Sequence, residues 1–296
     1  MMNFLALFGT SIRFVGGVFV GSFLNVISDR LESGKNIFFG RSECEACKKP
    51  LSPLELIPVL SYFIQKGRCK SCREKISAVY PFSEILTGLS FMGVFMWLKL
   101  FDALTLEKML LFSVYIVITS LLLIILFSDM KFMLVPDKIV IPAILFVLAF
   151  RLLDLGYYAW NLYYRLTNDS FGKYLLKAGF WQSHVAIESW ELLYTLIASL
   201  VIAVFFLLLI VLTKGRGMGG GDVKLGFLIG LVVGFPASIV AIFLAFVLGA
   251  LYSVGLVLLK KKSVKDAIPF GPFLILGCFI ALFFGQSLIQ WYLKLS

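Results

Sequence analysis

Two acidic residues beside apolar stretches are the side chains of this chain with the clearest potential for chemistry. Asp129 follows the apolar run 109–127, and Asp222 lies directly before another apolar run. An ionisable side chain at membrane depth is energetically costly, so in a membrane protein it indicates a functional site. Two carboxylates that share a proton can serve as base and acid, which allows them to activate water against a carbonyl group.

The residues around Asp222 favour access for a peptide backbone. Glycine permits positive φ and a close backbone approach, and five glycines precede Asp222: Gly215, Gly217, Gly219, Gly220 and Gly221. We interpret Lys224 as a nearby cation that keeps one carboxylate ionised while the other holds the proton. A phosphate-binding loop is less consistent, because no strand precedes the glycines and no Gly-Lys-Ser/Thr follows them. Asp137, after Pro136, is interpreted instead as a helix N-terminal residue.

Four of the five cysteines form two similar pairs. Cys44, Cys47, Cys69 and Cys72 have the spacing C-x2-C-x21-C-x2-C, and "CEACKKPLS" and "CKSCREKIS" repeat with a period of 25. Four thiolates that close on one ion favour a structural zinc site of the zinc-ribbon kind. Two disulfides are the alternative, which the reducing cytoplasm would disfavour. Cys278, inside an apolar run, is interpreted as a packing residue.

The elements that must position these residues are membrane helices. The chain has 296 residues, of which 60% are apolar and 16% aromatic, and its mean hydropathy is +0.97. A spanning helix needs about 20 apolar residues, so we predict an all-α polytopic membrane protein with about eight transmembrane helices. The predicted spans are 4–27, 81–100, 109–128, 139–153, 192–213, 223–235, 237–259 and 270–293.

The placement of the basic residues predicts how the chain crosses the membrane. The net charge is +10, and 19 of the 27 Lys and Arg fall in the alternate loops 28–80, 129–138, 214–224 and 260–266. Lys and Arg are enriched in cytoplasmic loops. We therefore expect the cytoplasmic (inner) membrane as location, both aspartates and the cysteine loop at the cytoplasmic side, and both termini outside. No nucleic-acid partner is expected, because no aromatic–basic binding motif accompanies the charge.

Three domains are predicted along the chain. Residues 1–27 form the first transmembrane helix, 28–80 a cytoplasmic loop domain with the four cysteines, and 81–296 a multi-helix membrane domain with both aspartates. A loop of about 50 residues is too small to fold securely on apolar burial alone, so it should need a stabilising metal site or cross-link. The aromatic-rich segment 154–191 is expected to be an extracytoplasmic insert of interfacial helices.

Six motifs, in order, resemble those of the bacterial type IV prepilin peptidases, which are membrane aspartic proteases of the GxGD type. The resemblance follows the order of these motifs and covers most of the chain, leaving out 154–191. The motifs are "GSFLNVISDRL" (21–31), "LSPLELIPVLSYFIQKGRCKSC" (51–72), "YPFSE" (80–84), "SDMKFMLVPD" (128–137), "GMGGGDVKLG" (217–226) and "IPFGPFLILG" (268–277).

This resemblance implies an aspartic endopeptidase, with Asp129 and Asp222 as catalytic residues and the four paired cysteines as metal ligands. Its expected substrates are type IV prepilins or pseudopilins, cut after a glycine at the cytoplasmic membrane face. Many members then N-methylate the new amino terminus with S-adenosylmethionine. Departures from the usual family pattern, such as "DRLES" and "SAVYP", lie in the half linked to methylation. The resemblance thus implies proteolysis more strongly than methyl transfer. Whether the protein forms a homodimer stays an open question at this point.

Two other classes of function compete with the peptidase. A transporter would use the two aspartates as a proton or cation relay within the bilayer. A scaffold in pilus assembly would need neither carboxylate. The separate cysteine loop and the glycines before Asp222 favour the peptidase over the relay.

Overall fold

The structure of the chain is a computed structural model. It describes residues 4–34, 36, 40–44, 46–100, 105–215, 218–261 and 268–295. Gly217 and part of the basic loop 260–266 lie outside these residues. Within them the chain is helical without any β-strand, and the only bridges are two isolated antiparallel ones, Glu43–Pro50 and Arg68–Lys75. The helices divide into two compact units, residues 1–136 and 137–296.

The first unit holds three long helices and the cysteine loop. Its long helices are α1 (Phe4–Ser33), α3 (Val79–Trp97) and α4 (Leu106–Phe132). Between α1 and α3 the loop carries a 3-10 helix, Pro53–Leu56, and the short helix α2, Leu60–Ile64. All three long helices contact one another, so together they form a membrane-helix bundle that supports the loop.

Small residues bring α1 and α3 close together in an antiparallel arrangement. Gly17 of α1 faces Gly88 of α3, and a Cβ added at Gly17 would lie only 2.8 Å from the Gly88 Cα. Farther along, Asn25 of α1 donates a hydrogen bond to the Ser83 hydroxyl of α3. Small residues at such contacts let membrane helices approach closely, and polar groups between the helices add hydrogen bonds.

The second unit holds six described helices, one of which is short and central. They are α5 (Asp137–Asn168), α6 (Gly172–Lys177), α7 (Phe180–Leu212), α8 (Gly220–Val233), α9 (Ala237–Leu258) and α10 (Gly271–Leu295). The helices α5, α7, α9 and α10 all contact α8. Because it is apolar on every side, α8 is suited to this position.

The central helix α8 packs closely against a neighbour through a glycine, and an arginine from another helix binds its C-terminal end. A Cβ added at Gly230 would lie 2.6 Å from the Ser199 Cα of α7, so only glycine fits there. At the C-terminal end of α8, the Arg151 guanidinium of α5 donates hydrogen bonds to the carbonyls of Leu231 and Val232, at 3.2 and 2.9 Å. Arg151 thereby satisfies carbonyl groups that a helix end leaves without partners.

Seven of the described helices are long and apolar enough to cross a membrane: α1, α3, α4, α5, α7, α9 and α10. The all-α polytopic fold is thus confirmed. The predicted span 223–235 corresponds to α8, whose 14 residues reach about 21 Å. The range 154–191 contains the short helix α6, and its extracytoplasmic placement stays a prediction. The helix α5 continues through its first part to Asn168, and α7 begins within it at Phe180.

Candidate active site and metal site

The first candidate aspartate is buried in the last turn of α4. Asp129 is 5% exposed, and the helix ends just after it at Met133, which adopts the left-handed conformation with φ 53° and ψ 37°. The Met133 N–H donates to the Asp129 carbonyl at 2.9 Å. Asp129 thus lies at the place that its sequence predicts, between an apolar helix and the turn that follows it.

A polar cluster in the first unit holds the same turn of α4 from the other side. The Lys131 ammonium donates to Asp29 Oδ1 at 2.8 Å and to Asn25 Oδ1 at 3.1 Å, both on α1. It also lies 4.3 Å from the centre of the Tyr80 ring on α3, and the Tyr80 hydroxyl donates to Asp29 Oδ2 at 3.0 Å. Residues two apart on a helix point to different sides, so this cluster anchors the turn while leaving the Asp129 side chain on another face.

The sequence analysis missed this cluster as a unit. Asn25 and Asp29 are four residues apart on α1, the spacing of polar residues that share a helix face. Their position at the end of an apolar run was the available signal. Lys131, however, lies 106 residues from Asn25 along the chain, and no local pattern links residues that far apart.

The second candidate aspartate lies in the first turn of α8. Asp222 is 8% exposed, and the Gly219 N–H donates to its Oδ2 at 3.2 Å. The positive end of a helix dipole and free N–H groups stabilise a carboxylate at this position. Asp222 therefore caps its own helix, and its burial keeps the carboxylate in a setting of low polarity.

The described glycines directly before Asp222 do not use positive φ, and Gly220 has open space beside it. Gly219 is extended, with φ −88° and ψ 154°, and among the predicted glycines with a described backbone only Gly215 has positive φ, at 72°. Gly219 and Gly220 are exposed, and a Cβ added at Gly220 would meet nothing within 4 Å. The role of Gly219, Gly220 and Gly221 beside a substrate backbone stays a prediction.

Lys224 has a different partner from the one we expected. Its ammonium binds both carboxylate oxygens of Asp137 at 2.7 Å, and Asp137 begins α5. Lys224 is two residues beyond Asp222 on one helix, so the two side chains point to different sides. The Lys224 ammonium is thus paired with Asp137, and its predicted role as a cation for the catalytic carboxylates stays a prediction that this ion pair does not favour.

The four paired cysteines come together in the loop of the first unit. The Sγ atoms of Cys44, Cys47, Cys69 and Cys72 all lie within 4.8 Å of one another, and all four cysteines are free thiols. Cys44 and Cys72 have their Sγ atoms 3.8 Å apart, whereas a disulfide bond is about 2.0 Å long. Four thiolates in tetrahedral contact with zinc have sulfur atoms about 3.8 Å apart. The cluster can therefore hold one metal ion, and zinc fits its donor set.

The backbone repeats the sequence period of 25 around the two cysteine pairs. The N–H of Cys44 donates to the Lys49 carbonyl, and that of Cys69 donates to the Glu74 carbonyl. Lys48 and Arg73 occupy matching positions with φ 57° and 63°. Each pair thus sits on the same kind of tight knuckle, which directs two sulfur atoms inward.

The second knuckle favours a thiolate at Cys69, whereas burial and the neighbouring cysteine sulfurs raise the pKa of the Cys72 thiol to about 11. Backbone N–H groups of Cys72 and Ser71 hydrogen-bond the Cys69 sulfur and lower the pKa of that thiol to about 7. The thiolate is the form that binds metals. Cys278 is buried in α10 and is not a member of this cluster, as expected for a packing residue.

Comparisons with known proteins match both units. The Bacterial Peptidase A24 N-terminal domain matches residues 15–98, and the Type IV leader peptidase family matches residues 170–254. The prepilin leader peptidase/N-methyltransferase of Bacillus subtilis is 32% identical over 290 residues, which cover 97% of this chain and 98% of that protein. Proteins of the same name from Aeromonas salmonicida and Pseudomonas aeruginosa are 31% and 28% identical, over 96% and 95% of this chain and 94% and 92% of their own lengths.

No solved structure matches the chain, so the family rests on the sequence comparisons. The two family matches lie in the two units that the structure separates. The relatives align over nearly the whole chain. The chain belongs to the type IV leader peptidase family.

Proposed function

We propose that this chain is a membrane aspartic endopeptidase that removes the leader peptide of type IV prepilins or pseudopilins and then N-methylates the new amino terminus. The observation that carries this proposal is the similarity, over nearly the full length of both proteins, to prepilin leader peptidase/N-methyltransferases. Seven membrane-competent helices support a substrate that reaches the enzyme within the bilayer.

Asp129 and Asp222 are the proposed catalytic pair. One carboxylate removes a proton from water, which attacks the scissile carbonyl carbon, and the other protonates the leaving amine as the carbon–nitrogen bond breaks. Both carboxylates are more than nine-tenths buried, and burial strengthens the effect of each charge on a reacting group. The exposed Gly219 and Gly220 give the substrate backbone room beside Asp222.

Methyl transfer is proposed as the second step on the same substrate. The free amine that cleavage releases is a nucleophile, and S-adenosylmethionine is the methyl donor of this reaction class. The amine nitrogen forms a bond to the methyl carbon, the sulfonium sulfur leaves with the electron pair of the broken bond, and the amine loses a proton. Cleavage must come first, because the amine does not exist in the uncut chain.

Zinc is the proposed occupant of the cysteine cluster. Four thiolates complete a tetrahedron and leave no position for water, so the ion would be structural. Cys44, Cys47, Cys69 and Cys72 would hold it and staple a loop that has little apolar core of its own. The enrichment of Lys and Arg in this loop supports its placement on the cytoplasmic side of the inner membrane, with both termini outside.

Mass spectrometry of a co-expressed prepilin tests cleavage and methylation together. We expect a mature amino terminus immediately after the leader glycine, with the mass of one added methyl group, only when the enzyme is present. An uncut prepilin in cells that contain the folded membrane protein would overturn the proposed function. A cut but unmethylated product would retain the peptidase and overturn the second step.

A further inference from the structure

The loop between the two cysteine pairs presents apolar side chains outside the candidate membrane spans. On α2, Leu60, Phe63 and Ile64 have the spacing i, i+3, i+4 that places side chains on one helix face. They are 60%, 66% and 77% exposed, and Leu54 on the preceding 3-10 helix is 76% exposed. A cluster of large exposed apolar side chains marks a surface that contacts another apolar phase or partner.

A partly buried hydrogen bond holds this surface at the level of a membrane boundary. The Val59 N–H, directly before α2, donates to Glu84 Oε2 at 2.7 Å. Glu84 lies in the second turn of α3, a candidate span of 19 residues. That helix is about 28 Å long, close to the ~30 Å of a bilayer's hydrocarbon core. The first turns of α3 therefore lie at the edge of the core, and α2 lies beside them.

The hydrogen bond between Val59 and Glu84 is a fixed part of the fold. Glu84 is 7% exposed, and Val59 has φ 60° and ψ −54°, a conformation that β-branched residues rarely adopt. Such a conformation persists only where the surrounding structure holds it. The Glu84 carboxylate also satisfies an N–H group that would otherwise lack a partner at an apolar boundary.

Basic residues follow the apolar face of α2 directly in the sequence. Five exposed cations lie within eleven residues of α2: Lys66, Arg68, Lys70, Arg73 and Lys75. The acidic residues of segment 53–75 are only Glu55 and Glu74, and Glu55 accepts hydrogen bonds from the Ser52 N–H and hydroxyl at 2.8 Å. An apolar face next to a cluster of cations is typical of a segment that lies in the headgroup region of an anionic bilayer.

We propose that α2 and the basic residues of the second cysteine knuckle form a membrane-surface anchor for anionic lipids. Leu60, Phe63 and Ile64 enter the boundary between headgroups and acyl chains, while the cations bind lipid phosphate groups. The anchor holds the cysteine loop flat on the membrane. This inference goes beyond the proposed function, because it concerns the lipid surface and needs neither prepilin nor methyl donor.

Photocrosslinking of the full chain in lipid nanodiscs tests the anchor. A p-benzoylphenylalanine replaces Phe63, and the matched control carries it at Ser61, on the half-buried face of the same helix. Nanodiscs contain either phosphatidylcholine alone or its mixture with phosphatidylglycerol. We expect severalfold more lipid adduct at position 63 than at position 61 by intact mass spectrometry. In the mixture, phosphatidylglycerol should exceed its mole fraction among the adducts.

A charge variant separates the apolar and ionic parts of the proposal. Lys66→Gln with Lys70→Gln, in the position-63 background, should reduce the phosphatidylglycerol enrichment while unfolding temperature stays unchanged. Equal lipid adducts at positions 61 and 63 would overturn the anchor. So would adducts at position 63 that are mainly with protein, including a crosslinked second copy. Absence of phosphatidylglycerol enrichment in the unaltered loop would overturn the selectivity for anionic lipid.

Discussion

Lys224 shows that a residue close to another in sequence can have its side-chain partner elsewhere in the chain. It follows Asp222 by two residues, yet its ammonium binds Asp137 at 2.7 Å. Their side chains are 42% and 57% exposed, so water competes with the ion pair. Exposed pairs of this kind contribute about 0.2–1 kcal/mol to folding. The Lys224–Asp137 pair therefore has little influence on folding stability. It does not involve the Asp222 carboxylate, which lies at the start of its own helix.

Lys224→Gln should retain leader cleavage. Because Lys224 is bound to Asp137 and directed away from Asp222, its loss should leave the initial cleavage rate within a few-fold of the unaltered enzyme. The measurement is the initial rate on prepilin in proteoliposomes, with Asp137→Asn as the matched removal of the other partner. Complete loss of cleavage by a stably folded Lys224→Gln variant would restore Lys224 as a support for catalysis.

The cysteines allow a sharp test of the metal. We expect purified protein to contain one zinc per chain, and Cys69→Ser to lose it because three thiolates no longer fill the tetrahedron. Cys278→Ser is the matched control, since that cysteine is buried in α10 and outside the cluster. Elemental analysis after gel filtration provides the measurement. Equal zinc content per chain in Cys69→Ser and Cys278→Ser would mean that the ion binds outside the cysteine cluster.

At the scale of elements, the end of α4 is held by two other helices. Lys131 contacts Asn25 and Asp29 of α1 and the Tyr80 ring of α3. Its side chain is 11% exposed, and that of Asp29 is 26% exposed. The residue range that matches the A24 N-terminal domain therefore supplies the anchor for the helix that carries Asp129. The peptidase is expected to need its N-terminal helices for this reason.

Lys131→Met should cost about 3 kcal/mol, because it leaves the largely buried Asp29 carboxylate without its cation. We also expect slower cleavage, with most of the loss in kcat, since the last turn of α4 is no longer fixed. The double variant Asp29→Lys, Lys131→Asp should recover part of both losses. Lys138→Met, at an exposed lysine, is the control. Lack of any recovery in the double variant would argue against the anchor.

Helix packing in the second unit depends on glycine at one contact. A Cβ at Gly230 would lie 2.6 Å from the Ser199 Cα, whereas a Cβ at Gly255 on α9 would meet nothing within 4 Å. Gly230→Ala should therefore destabilise the protein by about 1–3 kcal/mol through overpacking, and Gly255→Ala should not. The fraction of monodisperse protein after heating in detergent compares them. Equal heat resistance would mean that α7 and α8 can separate at little cost.

At the scale of the whole molecule, hydropathy predicted the class of fold and most spans. Long apolar runs have few alternatives to a spanning helix, so α1, α3, α4, α5, α7, α9 and α10 were all anticipated. The helix α8 differs because four neighbouring helices cover it, and periodicity does not separate a short buried helix from a span. The aromatic segment 154–191 contains no proline, and α5 extends into it as far as Asn168 while α7 begins within it at Phe180.

The candidate site was predictable only where its residues are close in sequence. The cysteine cluster follows from two local C-x-x-C pairs, and the structure brings their four Sγ atoms together. The contacts of Lys131 with α1, and of Arg151 with the end of α8, join residues 80 to 106 positions apart. Such contacts depend on which helices pack together, and local patterns carry no such information.

The central claim is that the carboxylates of Asp129 and Asp222 are both required for leader cleavage. Because one is proposed as the base and the other as the acid, loss of either carboxylate should stop cleavage. The substitutions Asp129→Asn and Asp222→Asn preserve size while removing the charge and the proton exchange that the mechanism requires. Asp137→Asn is the matched control, an exposed aspartate whose carboxylate is bound to Lys224.

The most direct measurement is leader cleavage by purified enzyme and prepilin in proteoliposomes, followed by mass spectrometry of the pilin amino terminus. Unfolding temperature and zinc content, compared with the unaltered enzyme, identify variants that remain folded. We predict no detectable cleavage by Asp129→Asn or by Asp222→Asn, and near-normal cleavage by Asp137→Asn. Normal cleavage by either of the first two variants would contradict the account.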